Sequence, residues 1–249
     1  MTFIDRIQKA SQTNCSKIVL ALDLEHQDRA RLAERSKKLL EDVKDYICGV
    51  KINRQLVLSL GLRNGVDSIV KLASSFSLPT IMDAKLNDVG HTNVSMTQSY
   101  MNAGFDAVIA SPLAGWEGGL DSVFALATAH GKAVILLVYM SNPGAEQFYS
   151  LTVTGHADKP KPIFELFTEM AVERKASGVI VGATKPAIIS RVRELVGPEL
   201  AIFSPGVGVQ GGDAKEALKA GSDYLIVGRS IYDATDQAKA ARELRKLTA

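Results

Sequence analysis

The stretch that decides the fold lies a third of the way along the chain and reads Ile81-Met82-Asp83-Ala84-Lys85-Leu86-Asn87-Asp88-Val89-Gly90-His91-Thr92. It begins as an apolar run and then carries three charged side chains, those of Asp83, Lys85 and Asp88. Because residues two apart on a β-strand point to the same face, Asp83 and Lys85 should share one face, with Asp88 just past the strand end. Charges in a buried strand persist when they are paired or used for chemistry. The stretch therefore predicts a buried strand that ends in a reaction centre.

Similar apolar runs recur along the chain at spacings of about 25 to 30 residues, with helix-like stretches between them. This alternation of strand and helix implies a parallel sheet. Eight such units in 249 residues predict an α/β fold of the (β/α)8 TIM-barrel type. The predicted strands are Lys17–Asp23, Ile47–Ile52, Thr80–Lys85, Ala107–Ala110, Ala133–Val138, Gly178–Val181, Leu200–Phe203 and Tyr224–Val227.

The alternative fold is an open, doubly wound sheet, which would place a glycine-rich turn directly after the first strand. Asp23-Leu24-Glu25-His26 stands there instead, so the barrel is favoured. We expect residues 1–249 to form a single barrel domain with a short N-terminal helix, Phe3–Ala10, covering one end. The segment from Ser141 to Pro160, with two glycines and two prolines, predicts a long irregular loop.

Composition narrows the classes of protein. Hydrophobic content of 46% and a net charge of +2 are ordinary for a globular protein and give no reason to expect a nucleic-acid or membrane partner. The N-terminus lacks the apolar run of a signal peptide, so we expect a cytoplasmic protein. Two cysteines, Cys15 and Cys48, and four scattered histidines give no zinc-site pattern, so no metal is expected.

Chemistry in such barrels gathers at the carboxyl ends of the strands. Two loops there predict a phosphate site: the one after the seventh strand carries four glycines within Gly206–Gly212, and Gly228-Arg229 follows the eighth. Glycines bring backbone N–H groups close to a ligand, and a guanidinium pairs well with phosphate. The two loops after the last two strands are also where barrel enzymes commonly hold phosphate.

Charged residues of alternating sign form the second cluster, which comprises Lys51, Asp83, Lys85 and Asp88. Opposite neighbours favour each other's charged form, so Lys85 should remain an ammonium and a ready proton donor. Asp83, a fixed carboxylate, would repel an anionic substrate group placed against it. The combination suits a reaction in which an anionic group leaves and a carbanion is protonated, such as decarboxylation. No thiamine, pyridoxal phosphate or metal motif is visible, so no cofactor is expected.

The pattern Asp83-x-Lys85-x-x-Asp88 resembles the DxKxxD motif of the orotidine 5′-phosphate decarboxylase family. The resemblance extends over nearly the whole chain, in the segments Leu20–Asp23, Val50–Ile52, Met140–Gly144, Ser204–Asp213 and Val227–Tyr232. It implies that the chain decarboxylates orotidine 5′-monophosphate to UMP in de novo pyrimidine biosynthesis. Lys85 would protonate C6, Asp83 would face the substrate carboxylate, and Lys51 and Asp88 would complete the charged set.

The resemblance also implies a set of substrate contacts. Asp23 and Lys51 would hold ribose hydroxyls, and Ser141 would contact the base. Pro205, Gln210, Gly228 and Arg229 would line the phosphate end of the site. Asp88 and Thr92 would reach the site of the other subunit, which implies a homodimer.

One departure from the family pattern is Val89-Gly90, where Ile-Pro usually follows the motif. Two alternative functions remain. The first is a magnesium-dependent hexulose-phosphate synthase or keto-gulonate-phosphate decarboxylase, but such enzymes carry an acidic residue at the end of the second strand, where Lys51 would repel the metal. The second is a non-catalytic phosphate-ligand-binding barrel, which would not need all four charged residues.

Overall fold

The strands follow the predicted order along the chain. A computed structural model describes residues 1–26, 28–154 and 159–248. Within those ranges the strands are β1 (Ile18–Leu22), β2 (Gly49–Asn53), β3 (Thr80–Leu86), β4 (Ala107–Ala110), β5 (Ala133–Tyr139), β6 (Thr152–Val153), β7 (Lys161–Pro162), β8 (Gly178–Val181), β9 (Ala201–Pro205) and β10 (Tyr224–Val227).

Eight of these strands close into a barrel in the order β1-β10-β9-β8-β5-β4-β3-β2, and neighbouring strands are parallel throughout. The predicted TIM barrel is therefore confirmed. Most strand residues are buried on both faces, because side chains inside the barrel pack on one another and those outside pack on helices.

Helices alternate with the barrel strands. They are α1 (Phe3–Asn14), α2 (Arg29–Val43), α3 (Arg54–Leu60), α4 (Asp67–Ser75), α5 (Gly90–Asn102), α6 (Asp121–Ala129), α7 (Glu146–Tyr149), α8 (Ile163–Glu173), α9 (Pro186–Val196), α10 (Ala214–Lys219), α11 (Arg229–Tyr232) and α12 (Gln237–Lys246). None of the helices in the described ranges is both long and apolar enough to cross a membrane.

Helix α1 lies against the amino ends of the strands, opposite the predicted site. Thr2 and Asp5 form a reciprocal cap at its start, and the ring of Phe3 lies 6.2 Å from that of Phe203 in β9. Ile7 is fully buried. The helix extends to Asn14, one turn beyond the predicted end at Ala10, and ends where Cys15 adopts the left-handed conformation. Nδ2 of Asn14 donates to the carbonyl oxygens of Lys44 and Ile47, which holds this last turn against the barrel.

Strand β3 is irregular where it carries its charges. Its register with β4 shifts between Met82 and Leu86, and the backbone of Lys85 is left-handed, with φ of 44°. A bulge of this kind redirects a side chain, and such bulges are common beside active sites.

The prediction that Ser141–Pro160 is irregular throughout was wrong. The segment contains α7 and the strand β6, which pairs antiparallel with β7 to form a short ribbon. The rings of Tyr149 in α7 and Tyr139 in β5 lie 5.3 Å apart, so α7 is held by aromatic packing on the barrel. Residues 155–158 of the predicted loop lie outside the described residues.

Candidate active site

One cavity opens at the carboxyl ends of the barrel strands. The strands β1, β2 and β3 and the loops after β5, β9 and β10 bring side chains to it from distant parts of the sequence. The residues predicted from the sequence that line it are Asp23, Lys51, Asp83, Lys85, Ser141, Pro205, Gln210, Gly228 and Arg229.

Four of these side chains form a row of alternating charges, Asp23, Lys51, Asp83 and Lys85, which we call the charged row. Nζ of Lys51 donates to Oδ2 of Asp83 at 2.9 Å and lies 3.4 Å from Oδ1 of Asp23. At the other end, Nζ of Lys85 donates to Oδ1 of Asp83 at 2.5 Å. Both oxygens of the Asp83 carboxylate are thus occupied by ammonium groups.

The middle of the charged row is buried and its ends are open. The side chains of Lys51 and Asp83 are only 5% and 8% exposed, whereas those of Asp23 and Lys85 are 25% and 26% exposed. Lys85 therefore presents its ammonium group to the cavity, while Lys51 is enclosed between two carboxylates.

Burial and pairing act in opposite directions on the pKa values of the two buried groups. Burial alone would raise the pKa of Asp83, but the charges of Lys51 and Lys85 outweigh it and hold that pKa below its ordinary value. Burial would likewise lower the pKa of Lys51, and the charges of Asp83 and Asp23 outweigh it and raise that pKa. Both groups are therefore ionised at neutral pH.

The backbone of Lys85 carries strain. A lysine with φ of 44° is uncommon, because Cβ crowds the backbone in the left-handed region. Such conformations cost about 1–3 kcal/mol and persist where the surrounding structure holds them. The strained residue is the one that directs its ammonium group onto Asp83.

The glycine-rich loop after β9 lies across the cavity opening from the charged row. Its glycines allow its backbone to lie very close to neighbouring side chains. Gly206 has φ of 96°, and a Cβ there would lie 2.8 Å from Cβ of Ser141. Gly208 has φ of 79°, and a Cβ there would lie 2.3 Å from Oγ of Ser230. A side chain at either position would crowd Ser141 or Ser230 and would hold the backbone in the strained left-handed region.

A hydrogen bond joins this loop to the segment after β5. Oγ of Ser141 donates to Oε1 of Gln210 at 2.8 Å, so two residues 69 apart in sequence meet at the cavity opening. Near them, Arg229 is exposed, lines the cavity and forms no ion pair with any other residue in the described ranges. An unpaired guanidinium beside glycine-rich backbone fits an anionic ligand group.

The cavity has an apolar wall that the sequence reading missed. It consists of Ile109, Leu137, Ile180 and Ile226, which lie near the carboxyl ends of β4, β5, β8 and β10. Alternation within a barrel strand could have identified them, because inward-facing positions recur every second residue. The same rule would have found Asn53, two residues after Lys51 on β2 and also in the lining.

Asp88 and Thr92 stand apart from the charged row. Neither lines the cavity, and Asp88 is exposed at the start of α5 with no ion pair in the part of the chain that the structure describes. Its Oδ1 accepts a hydrogen bond from the backbone of Val89 at 2.7 Å. Within one chain, Asp88 therefore does not join Lys51, Asp83 and Lys85.

Comparison with known proteins places the chain in a family. Residues 16–244 match the family model described as orotidine 5′-phosphate decarboxylase / HUMPS. The chain is 39% identical over 227 residues to orotidine 5′-phosphate decarboxylase of Pyrococcus abyssi, covering 91% of this chain and 96% of that protein. It belongs to the orotidine 5′-phosphate decarboxylase / HUMPS family.

Solved structures agree with this family membership. Orotidine 5′-monophosphate decarboxylase of Methanocaldococcus jannaschii, solved in complex with the inhibitor BMP, superposes with a TM-score of 0.79 at 30% identity, covering 94% of this chain and 98% of that one. UMP synthase of Leishmania donovani superposes with a TM-score of 0.86 at 28% identity, and this chain spans 56% of its length. The family resemblance predicted from the DxKxxD motif is thus confirmed, and in this family member the motif runs from the bulged end of β3 to the start of α5.

Proposed function

We propose that this chain decarboxylates orotidine 5′-monophosphate to UMP and carbon dioxide in de novo pyrimidine biosynthesis, with protein side chains and no cofactor. The observation that carries the proposal is the charged row in the same cavity as a glycine-rich loop and an unpaired arginine. A phosphorylated substrate would be anchored at one end and would react at the other. The family membership and the names of the curated relatives support the same reaction.

Binding begins with the phosphate in this proposal. Arg229, Gln210 and the backbone of Gly228 take the phosphate, with Pro205 beside it in the lining. Ser141 contacts the base from the opposite loop, where its hydroxyl already meets Gln210. Because phosphate binding engages groups remote from the reacting carbon, its energy can be used to orient the pyrimidine against the charged row.

The ribose lies at the Asp23 end of the charged row. Asp23 accepts and Lys51 donates hydrogen bonds to ribose hydroxyls, and the ion pair between them fixes both side chains. The pyrimidine then lies over Asp83 and Lys85, with its apolar surface against the wall formed by Ile109, Leu137, Ile180 and Ile226.

The chemical step follows from the charges. Asp83 stays ionised, because its pKa is held low by two ammonium groups, and it repels the substrate carboxylate placed against it. The bond between C6 and the carboxylate breaks, carbon dioxide departs, and the electron pair remains on C6. Nζ of Lys85 stabilises that negative charge and donates the proton that completes UMP. A solvent proton then restores the ammonium group.

The complete site is shared between two subunits in this proposal. Asp88 and Thr92 serve the cavity of the partner in a homodimer, which agrees with the exposure of Asp88 and with its absence from the lining of its own cavity. With Asp88 supplied from the partner, the four charges predicted from the sequence are brought together again.

The magnesium-dependent members of the family are the nearest alternative. A magnesium ion would need carboxylate oxygens, but Lys51 and Lys85 engage both oxygens of Asp83, and Lys51 also lies 3.4 Å from Oδ1 of Asp23. Displacing a buried lysine to admit the metal would leave that ammonium group unpaired. A non-catalytic barrel is also disfavoured, because strain at Lys85 serves no purpose in simple phosphate binding.

The deciding experiment follows the absorbance of orotidine 5′-monophosphate with enzyme that has been treated with a chelator. We expect conversion to UMP at a rate that added magnesium does not change. A folded protein that leaves the absorbance unaltered would refute the proposed reaction, and a rate that depends on magnesium would favour the alternative.

A further inference from the structure

The start of α5 is packed unusually closely on the turn Trp116–Leu120, which we call the 116–120 turn. A Cβ at Gly90 would lie 3.1 Å from the carbonyl oxygen of Gly118 and 3.4 Å from Oγ of Ser122. Gly90 stands where the family pattern usually has proline. A Cβ at this position would force the two segments a few tenths of an ångström apart, so glycine permits their close contact.

Asn93 joins the same two segments from within. It is fully buried one turn into α5, and its Nδ2 donates to the carbonyl oxygen of Asp88 at 2.6 Å and to that of Gly119 at 3.1 Å. Carbonyl oxygens only accept, so the amide nitrogen must face them. Oδ1 of Asn93 receives no hydrogen bond from the described residues, which leaves the two carbonyls as the partners that fix the side chain.

Ser122 adds a weaker link between the segments. Its Oγ lies 3.2 Å from the carbonyl oxygen of Gly119 and 3.4 Å from that of Gly90. The backbone on both sides of Val89 is thereby tied to the 116–120 turn. The side chain of Asp88, by contrast, is exposed, and among the described residues its one hydrogen bond is from the backbone N–H of Val89.

We propose that Asn93 is a positioning residue that sets Asp88 in the orientation needed at the partner's cavity. This inference rests on the proposed function, in which Asp88 acts across the dimer. Asn93 touches no substrate. It holds the main chain of Asp88 against the 116–120 turn of its own subunit, so that the carboxylate is presented at a fixed angle.

The first test compares two buried residues on the same face of α5. Asn93→Asp keeps the side-chain shape but turns a carboxylate oxygen toward two carbonyl oxygens, which should displace the Asp88 backbone. We expect kcat/KM to fall about 100-fold, since a misplacement of about 1 Å can cost that much. Thr97→Val is the matched control: Thr97 is equally buried one turn later, and its hydroxyl has no partner among the described residues. It should change kcat/KM by less than about twofold.

The second test asks which subunit's site depends on Asn93. In hybrid dimers of Asn93→Asp and Lys85→Ala chains, one site combines an intact Lys85 from one chain with an intact Asp88 and Asn93 from the other. We therefore expect activity to recover on mixing. Hybrids of Asn93→Asp with Asp88→Ala should not recover, because each of their sites receives a defective Asp88 segment.

The reference mixture of Asp88→Ala with Lys85→Ala separates the possible failures. If it recovers but Asn93→Asp with Lys85→Ala does not, Asn93 serves its own cavity and the inference is wrong. If the reference itself stays inactive despite demonstrated subunit exchange, the shared site is wrong and the inference fails with it, while decarboxylation by the parent enzyme still stands.

Asn93→Ala removes the hydrogen-bond donor without adding a charge. If Asn93→Asp yields no folded protein, the same kinetic and hybrid-dimer comparisons are made with Asn93→Ala. Failure of both variants to fold, with Thr97→Val folded, would show that Asn93 is a requirement of the core rather than a positioning residue.

Discussion

Replacing Asp83 by asparagine tests whether the charged row is held together as described. The substitution keeps the shape of the side chain but removes the carboxylate that Lys51 and Lys85 share. Lys85 is partly exposed and can be hydrated, whereas Lys51 is 4% exposed and would keep only Asp23, at 3.4 Å. The cost of the change is therefore concentrated on Lys51.

The expected loss can be worked from this geometry. Removing one partner of a buried ion pair costs about 3–5 kcal/mol, and the remaining contact with Asp23 places Asp83→Asn near the lower value, about 3 kcal/mol at pH 7. The control is Asp42→Asn in α2, whose partner Lys38 has a side chain that is 67% exposed. An exposed pair of this kind contributes at most about 0.5 kcal/mol.

The contribution of Lys51 to stability should depend on pH with opposite sign in the parent and in Asp83→Asn. In the parent, the pKa of Lys51 lies above its ordinary value, so its contribution is fully present below about pH 10.4 and is lost only as pH rises through the raised pKa. In Asp83→Asn, burial prevails and that pKa falls below 10.4, so the folded variant binds fewer protons than the unfolded chain and gains stability as pH rises. The penalty should shrink by about 1.4 kcal/mol per pH unit between the lowered pKa and pH 10.4.

Urea unfolding at a fixed chain concentration, repeated at pH 7, 8, 9 and 10, measures both quantities. A variant as stable as the parent at pH 7, or a penalty that stays constant over this range, would refute the account of Lys51 as a buried ammonium dependent on Asp83.

Two further predictions concern the reaction. Lys85→Ala should lower the decarboxylation rate by about 100-fold to 10,000-fold, which is the range contributed by a positioned proton donor. The variant should still bind UMP, as measured by calorimetry. Retained turnover would remove Lys85 from the proposed role. Arg229→Ala should weaken binding of the phosphorylated substrate by about 10-fold to 150-fold, the equivalent of about 1.5–3 kcal/mol for a charge-assisted hydrogen bond, and should leave turnover of phosphate-free orotidine unchanged. Equal losses on both substrates would show that Arg229 does not act through the phosphate.

The barrel was predictable from the sequence because buried parallel strands are continuous apolar runs. Three predicted strands, Ala107–Ala110, Gly178–Val181 and Tyr224–Val227, have the bounds seen in the structure. The second strand was predicted to begin at Ile47, but β2 begins at Gly49. Ile47 and Cys48 are buried and extend the apolar run in the sequence, although they precede the strand itself. Burial sets the pattern in sequence, whereas backbone hydrogen bonds set the ends of a strand.

The candidate site was predictable in its residue types but not in its geometry. Reading strand ends identified Lys51, Asp83 and Lys85, since all three follow apolar runs. The left-handed backbone of Lys85 could not be inferred, because its neighbours form an ordinary strand pattern and the distortion comes from the register shift against β4. The contact of Ser141 with Gln210 depends on closure of the barrel, which no local pattern records.

The conformation of Lys85 has a consequence for how the protein responds to selection in the laboratory. Glycine adopts a φ of 44° without the crowding that a lysine suffers there. Replacing Lys85 with glycine would therefore relieve local strain in the same step that removes the reacting ammonium group. It would also remove one of the two ammonium groups that pair with the buried Asp83 carboxylate, so strain relief and loss of the ion pair act in opposite directions on stability. A screen for heat resistance alone therefore measures the balance of these two effects, whereas a growth requirement for the reaction product tests the proposed role of the ammonium group.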